Sequence, residues 1–149
     1  MTRTAITRTI NAPVEAVFEA VANISKFTEA VPQIMRVDFL TESRGGVATR
    51  FRETRKMRGR EVSTVLEVTE YVKNRRVRLV SDAGGTVWDS LFTVAPVGDG
   101  ESTRLDLVME ARPYRLMARV FVPLMRGVVA KAVAEDMDAV KGWVEGRQE

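Results

Sequence analysis

Ser102-Thr103-Arg104-Leu105-Asp106-Leu107-Val108-Met109-Glu110-Ala111, then Arg112-Pro113, then Tyr114-Arg115-Leu116-Met117-Ala118-Arg119-Val120-Phe121: within this stretch the spacing of apolar side chains changes from two to a helical period. Before the proline, Leu105, Leu107 and Met109 alternate with Arg104, Asp106 and Glu110, the pattern of a half-buried strand. After it the helical period runs on through Leu124, Val128, Ala132, Met137, Val140 and Val144. About thirty residues at 1.5 Å each predict a terminal helix on the order of 45 Å long, enough to cross a whole sheet. Pro123, with Gly127 one turn later, predicts a kink in it.

Upstream of this switch the period of two reaches back to Gln33. Turn residues punctuate it at Ser43-Arg44-Gly45-Gly46, Arg58-Gly59, Lys73-Asn74, Ala83-Gly84-Gly85 and Gly98-Asp99-Gly100. Strands are predicted over 33–41, 47–57, 61–72, 75–82, 86–96 and 102–111, joined as an antiparallel meander. One face is expected to be apolar, with Val62, Leu66 and Val68, then Val77 and Leu79, then Trp88, Phe92 and Val94. The other carries Glu61, Arg76, Arg78, Arg104, Asp106 and Glu110 and is expected to meet water. At the front of the chain, Arg3 to Ile10 reads as a strand. Asn11-Ala12-Pro13 then opens a short amphipathic helix through Val14, Val17, Phe18 and Val21, and a second helical piece from about Ser25 to Ala30 stops at Val31-Pro32.

The composition narrows the chemistry. A chain of 149 residues suits one domain, expected over 1–149, and 45% apolar with 29% charged residues is ordinary for a folded soluble protein. There is no cysteine and no histidine. Thiolate nucleophiles, disulfides, histidine-based triads and histidine or thiolate metal sites are thereby excluded, so no metal and no cofactor is expected. Any catalysis must rest on carboxylates, arginines, hydroxyls or water. The net charge of +3 is modest and mixed in sign, and DNA is not expected as a partner. Met1-Thr2-Arg3-Thr4 lacks the apolar run of a signal peptide, and no stretch of about 18 uncharged apolar residues occurs, which points to a cytoplasmic location.

The order of one strand, two short helices, six antiparallel strands and a long terminal helix is that of the helix-grip fold. In that layout the chain resembles the START-like superfamily, also called SRPBCC, and within it the polyketide cyclase/dehydrase-like branch. The resemblance covers nearly the whole chain. It is carried by Ile10-Asn11-Ala12-Pro13-Val14-Glu15-Ala16-Val17-Phe18, by Glu67-Val68-Thr69-Glu70-Tyr71, by Gly85-Thr86-Val87-Trp88-Asp89 and by the terminal helix. It implies an α+β fold in which a curved antiparallel sheet of about seven strands wraps the helix. Between them it implies a cavity for lipids, polyketides, quinones or other apolar molecules. It transfers no catalytic residue, since some relatives cyclise or dehydrate their ligand and many only bind it.

Phe51, Leu66, Trp88, Phe92, Met109, Met117, Phe121, Leu124 and Met125 are the candidates for the cavity wall, being large or adaptable and on the inferred inward faces. Each could equally be plain core. Four polar residues alternate inward with them: Glu53 and Arg55 beside Phe51, Thr64 on the next strand, and Ser90 between Trp88 and Phe92. A charge facing a sheet interior is costly unless paired, so Glu53 and Arg55 either bridge each other, with Thr64 joining them, or meet a ligand. In an enzyme Glu53 would be the acid or base, its pKa raised by burial, and Arg55 would polarise a carbonyl. Asp89 alternates outward and is expected to pair with an arginine of a neighbouring strand.

Three functional readings stay open. The first is carriage or sequestration of a hydrophobic small molecule. The second is a polyketide cyclase or dehydratase without metal or covalent nucleophile. The third is an interaction protein using the basic hairpin around Arg50, Arg52, Lys56, Arg58 and Arg60, a run that also reads as a solvated face. The segment Tyr114 to Val129, with Arg115, Arg119 and Arg126, is either buried or makes transient membrane contact, and its first half would gate the pocket. A dimer through exposed strand edges is also compatible with the sequence.

Overall fold

The structure, a computed structural model, describes residues 2–148; Met1 and Glu149, the ends of the expected domain, lie outside the described residues. The chain runs β1 (Thr2–Ile10), α1 (Val14–Ala22), α2 (Ile24–Ala30), β2 (Ile34–Phe39), β3 (Arg50–Met57), β4 (Arg60–Val72), β5 (Arg76–Ala83), β6 (Thr86–Val97), β7 (Ser102–Pro113), α3 (Leu116–Leu124) and α4 (Arg126–Gly146). All seven strands form one antiparallel sheet in the order β1-β7-β6-β5-β4-β3-β2. This is the helix-grip architecture, a curved sheet with helices on its concave side.

The hairpins that close the meander follow from their turn residues. Arg58-Gly59 joins β3 to β4 and Gly84-Gly85 joins β5 to β6, with positive φ at all four positions. Two-residue turns of that kind match the right-handed twist of the strands they connect. β-Bulges between Ile34 and Arg36 and between Val68 and Glu70 shift the register and bend the sheet.

α4 carries its apolar stripe onto the concave face, where Val133, Met137, Val140 and Val144 are buried among Ile10, Phe18, Val77 and Leu105. Polar contacts fix it along β1: Arg8 Nε bonds Asp138 at 2.6 Å, the Asn11 amide donates to Glu145 at 2.8 Å, and Lys141 donates to the Thr9 carbonyl at 2.6 Å. α1 and α2 close one end of the sheet, Phe18 meeting Tyr71 edge-on at 5.4 Å and Phe27 meeting Phe92 at 5.9 Å.

Two expectations change. The single kinked terminal helix is instead two helices broken at Met125, whose φ of −90° and ψ of 3° leave the helical region. Pro123 lacks the N–H that would bond the carbonyl one turn back, and its ring crowds that carbonyl. The Met125 amide still reaches the Phe121 and Val122 carbonyls, at 3.0 and 3.1 Å, and α4 restarts from there. Val62, expected on the apolar face, is exposed, because the first residues of β4 run out beyond the cover of the helices. On the convex face Asp89 takes Arg78 of β5 at 2.7 Å and Arg112 of β7 at 3.0 Å, the cross-strand pairing its parity predicts.

Candidate functional site

Between the concave face and α4 lies a cavity of about 300 Å³, at the lower bound of the roughly 300–1,000 Å³ of small-molecule pockets. Its floor is built by alternation along five strands, of which β5 contributes Leu79, Ser81 and Ala83. β3 contributes Phe51, Glu53 and Arg55, β4 Thr64 and Leu66, β6 Trp88, Ser90 and Phe92, and β7 Met109. The register sets them face to face, with Phe51 opposite Leu66, Glu53 opposite Thr64, and Ser90 opposite Met109. The roof is the α4 stripe from Val128 to Asp136, and Ile24 and Phe27 of α2 close one end. Met57, Met125 and Val128 line the cavity while staying exposed, and so mark its mouth.

A charged cluster in this wall spans the cavity from sheet to helix. Arg55 donates from Nε to Glu53 at 2.5 Å and from its two terminal nitrogens to both carboxylate oxygens of Asp136, at 3.1 and 2.8 Å. All three side chains are largely withdrawn from water, at 21% exposed for Arg55, 13% for Glu53 and 14% for Asp136. Burial opposes the charge on Arg55, but the charges and hydrogen bonds of Glu53 and Asp136 outweigh it and raise the pKa above the ordinary arginine value. Two carboxylates thus share one guanidinium in an otherwise apolar chamber. Ser81, Thr28, Thr64 and Ser90 are the remaining polar groups of the wall.

Ten of the thirteen candidate residues therefore meet in one space, and three do not. Met117, Phe121 and Leu124 are corrected: they sit on the outer side of α3 and are exposed. α3 turns only Ala118 and Val122 inward, against Ala111 and Trp88, and the helical period places Met117, Phe121 and Leu124 on another side. Thr64 faces Glu53 across the ladder, but the third member of the Glu53–Arg55 pair is Asp136. A signal for Asp136 was present, since a carboxylate four residues after Ala132 and four before Val140 falls on the buried stripe of the helix. Ile24 and Phe27 carried no such signal, because a short helix does not reveal which end of the sheet it caps.

A curved sheet gripping a helix over a mainly apolar chamber defines the START-like class of fold. Residues 1–145 match the family described as polyketide cyclase / dehydrase and lipid transport, and the chain belongs to that family. Solved structures with the same fold include the Zhui aromatase/cyclase of a Streptomyces species. It is 18% identical with a TM-score of 0.82, over 99% of this chain and 96% of that one. A protein from Thermus thermophilus is 18% identical with a TM-score of 0.80, over 99% and 100% of the two chains. A START superfamily protein from Mycobacterium smegmatis is 17% identical with a TM-score of 0.71, over 97% and 95%. At such identities the likeness concerns the fold. No curated protein is a sequence match to the chain.

Proposed function

We propose that the protein binds a hydrophobic small molecule of polyketide, quinone or lipid type in this cavity, as a carrier or sequestering factor. The observation that carries the reading is the combination of a chamber of about 300 Å³ walled by aromatic, aliphatic and methionine side chains with a charged cluster inside it. The apolar wall supplies affinity without chemical selectivity, and the cluster supplies orientation. Its excess of carboxylate oxygens over guanidinium donors suits a hydrogen-bond donor better than an anionic end group, so the expected ligand presents a hydroxyl or phenol to Glu53 or Asp136.

Trp88 gives the test a reporter. In Trp143→Phe, which leaves Trp88 as the sole tryptophan, a long-chain alcohol or a hydrophobic phenol is expected to change the emission saturably. Adding Ser90→Trp in the middle of the floor is expected to abolish thermal stabilisation by the same compounds. Binding that survives intact in Ser90→Trp places the ligand elsewhere and refutes the reading. Native mass spectrometry of the protein as purified, followed by organic extraction, would identify a ligand carried from the cell.

A second reading, a cyclase or dehydratase, is favoured by the placement of two carboxylates and a guanidinium inside an apolar chamber. Glu53 or Asp136 would move the proton and Arg55 would stabilise an enolate. Turnover that collapses in Glu53→Gln while binding persists would favour this reading over carriage.

A further inference from the structure

We propose that α3 docks this protein onto an anionic lipid bilayer, with the cavity mouth at the lipid surface. The starting observation is an inversion. α3 buries small or modest side chains, Ala118 and Val122, and exposes large ones: Leu116 at 79%, Leu124 at 75%, and also Met117, Val120 and Phe121. At 3.6 residues per turn these five fall within an arc of about 140°, so they form one continuous apolar ridge. Contiguous apolar surface of this kind marks a contact site, unlike scattered single residues.

The charges beside the ridge choose the partner. From Ala111 to Ala134 the sequence contains five cations and no carboxylate. Arg112 is paired with Asp89 and Glu110, and Lys131 lies 4.0 Å from Glu135. Arg115, Arg119 and Arg126 make no ion pair among the described residues. A second copy of the chain joined through this ridge about a twofold axis would bring the same arginine-rich surface against itself, with no acidic residue on α3 to compensate. Anionic headgroups neutralise all three arginines, while the arginine stems lie along the apolar ridge with their heads in the headgroup layer. No helix among the described residues is long and apolar enough to cross a membrane, and docking by α3 requires none.

The ridge is continuous with the mouth, since Met125, directly after α3, and Val128 both line the cavity and reach the surface. Docking would thus set the mouth against the acyl region, so that an apolar ligand passes between cavity and bilayer without crossing water. That consequence rests on the cavity reading; docking itself does not.

The test is flotation with vesicles of phosphatidylcholine alone and of three parts phosphatidylcholine to one part phosphatidylglycerol, without added ligand. Wild-type protein is expected to float with the anionic vesicles and much less with the neutral ones, and to lose binding as salt is raised. Arg119→Gln with Arg126→Gln is expected to weaken anionic-vesicle binding roughly 25-fold, about fivefold per interfacial cation removed. Phe121→Asp is expected to abolish binding to both while leaving the melting temperature and the Trp88 ligand response in place. Equal binding to the two vesicle types, or wild-type affinity in Phe121→Asp, overturns the proposal. So does a wild-type dimer that Phe121→Asp converts to a monomer without vesicle binding by either form, which would assign the ridge to self-association. A cavity that binds nothing while vesicle docking persists would refute the ligand reading and leave this one standing.

Discussion

α3 and α4 arise from one uninterrupted helical pattern, yet they spend their apolar residues in opposite ways. α4 turns Val133, Met137, Val140 and Val144 into the core, where Val140 is 0% exposed, and pins its flank to β1 with Asp138, Lys141 and Glu145. α3 turns only Ala118 and Val122 inward and leaves its bulk outside. The difference lies in what each helix has to pack against. α4 lies over the concave face, where each large side chain withdrawn from water contributes about 1.5–3 kcal/mol. α3 leaves the end of β7 and rests on Ala111 and Trp88, a platform too small to take up Leu116, Met117, Phe121 and Leu124 as well. A helical period therefore reports that an element is amphipathic, and the tertiary partner decides whether its apolar side faces in.

Met137→Ala tests this contrast most severely. Emptying a fully buried methionine under α4 should cost about 2–5 kcal/mol in urea unfolding, and a cost below about 1 kcal/mol would mean that α4 is no better anchored than α3. Gly85→Ala comes next. Gly85 sits at φ +81°, its carbonyl accepts from the Tyr114 and Arg115 amides, and an added Cβ would come within 2.8 Å of the Arg115 side chain. A loss of about 1–3 kcal/mol is expected from backbone strain alone, and amide hydrogen exchange should show the start of α3 released while α4 keeps its protection.

Acid separates the helices with a smaller effect. The hydrogen bond and charge of Arg8 hold the Asp138 carboxyl below the usual range, and the Asn11 amide, followed by Lys141, does the same for Glu145. A depressed carboxylate contributes stability that is fully present above the unfolded value, about 4, and is lost as the pH falls through the folded one. The contact of α4 with β1 should thus weaken below about pH 4. Asp138→Asn with Glu145→Gln should flatten that part of the melting-temperature profile. α3, which has no carboxylate, should contribute no such slope. The smallest effect is expected for Leu116→Ala, within about 0.5 kcal/mol of wild type because the side chain touches little. A larger loss would show that α3 is packed more firmly than its exposure indicates.

Much of the architecture was legible in the chain. The alternation of Leu105, Leu107 and Met109, the turns at Arg58-Gly59 and Gly84-Gly85, and Pro13 before the first helix each specify local structure by rules that act within a few residues. Parity along the strands also turned Glu53, Arg55 and Ser90 to the face they occupy, since side chains alternate strictly unless a bulge intervenes. Periodicity does not reveal that the stripe of Met117, Phe121 and Leu124 faces outward, nor that Val62, on the apolar parity of its strand, is exposed.

The sequence by itself determined the order of elements, the antiparallel pairing and the inward polar residues, because hydrophobic period, turn conformation and strand alternation are local properties. The tertiary structure alone decided that Asp136, on a helix more than eighty residues away along the chain, would complete the bridge to Arg55. It alone decided that packing would stop short of filling the space between sheet and helix. A void and a cross-element ion pair depend on how far apart two surfaces settle, and no residue encodes that distance on its own.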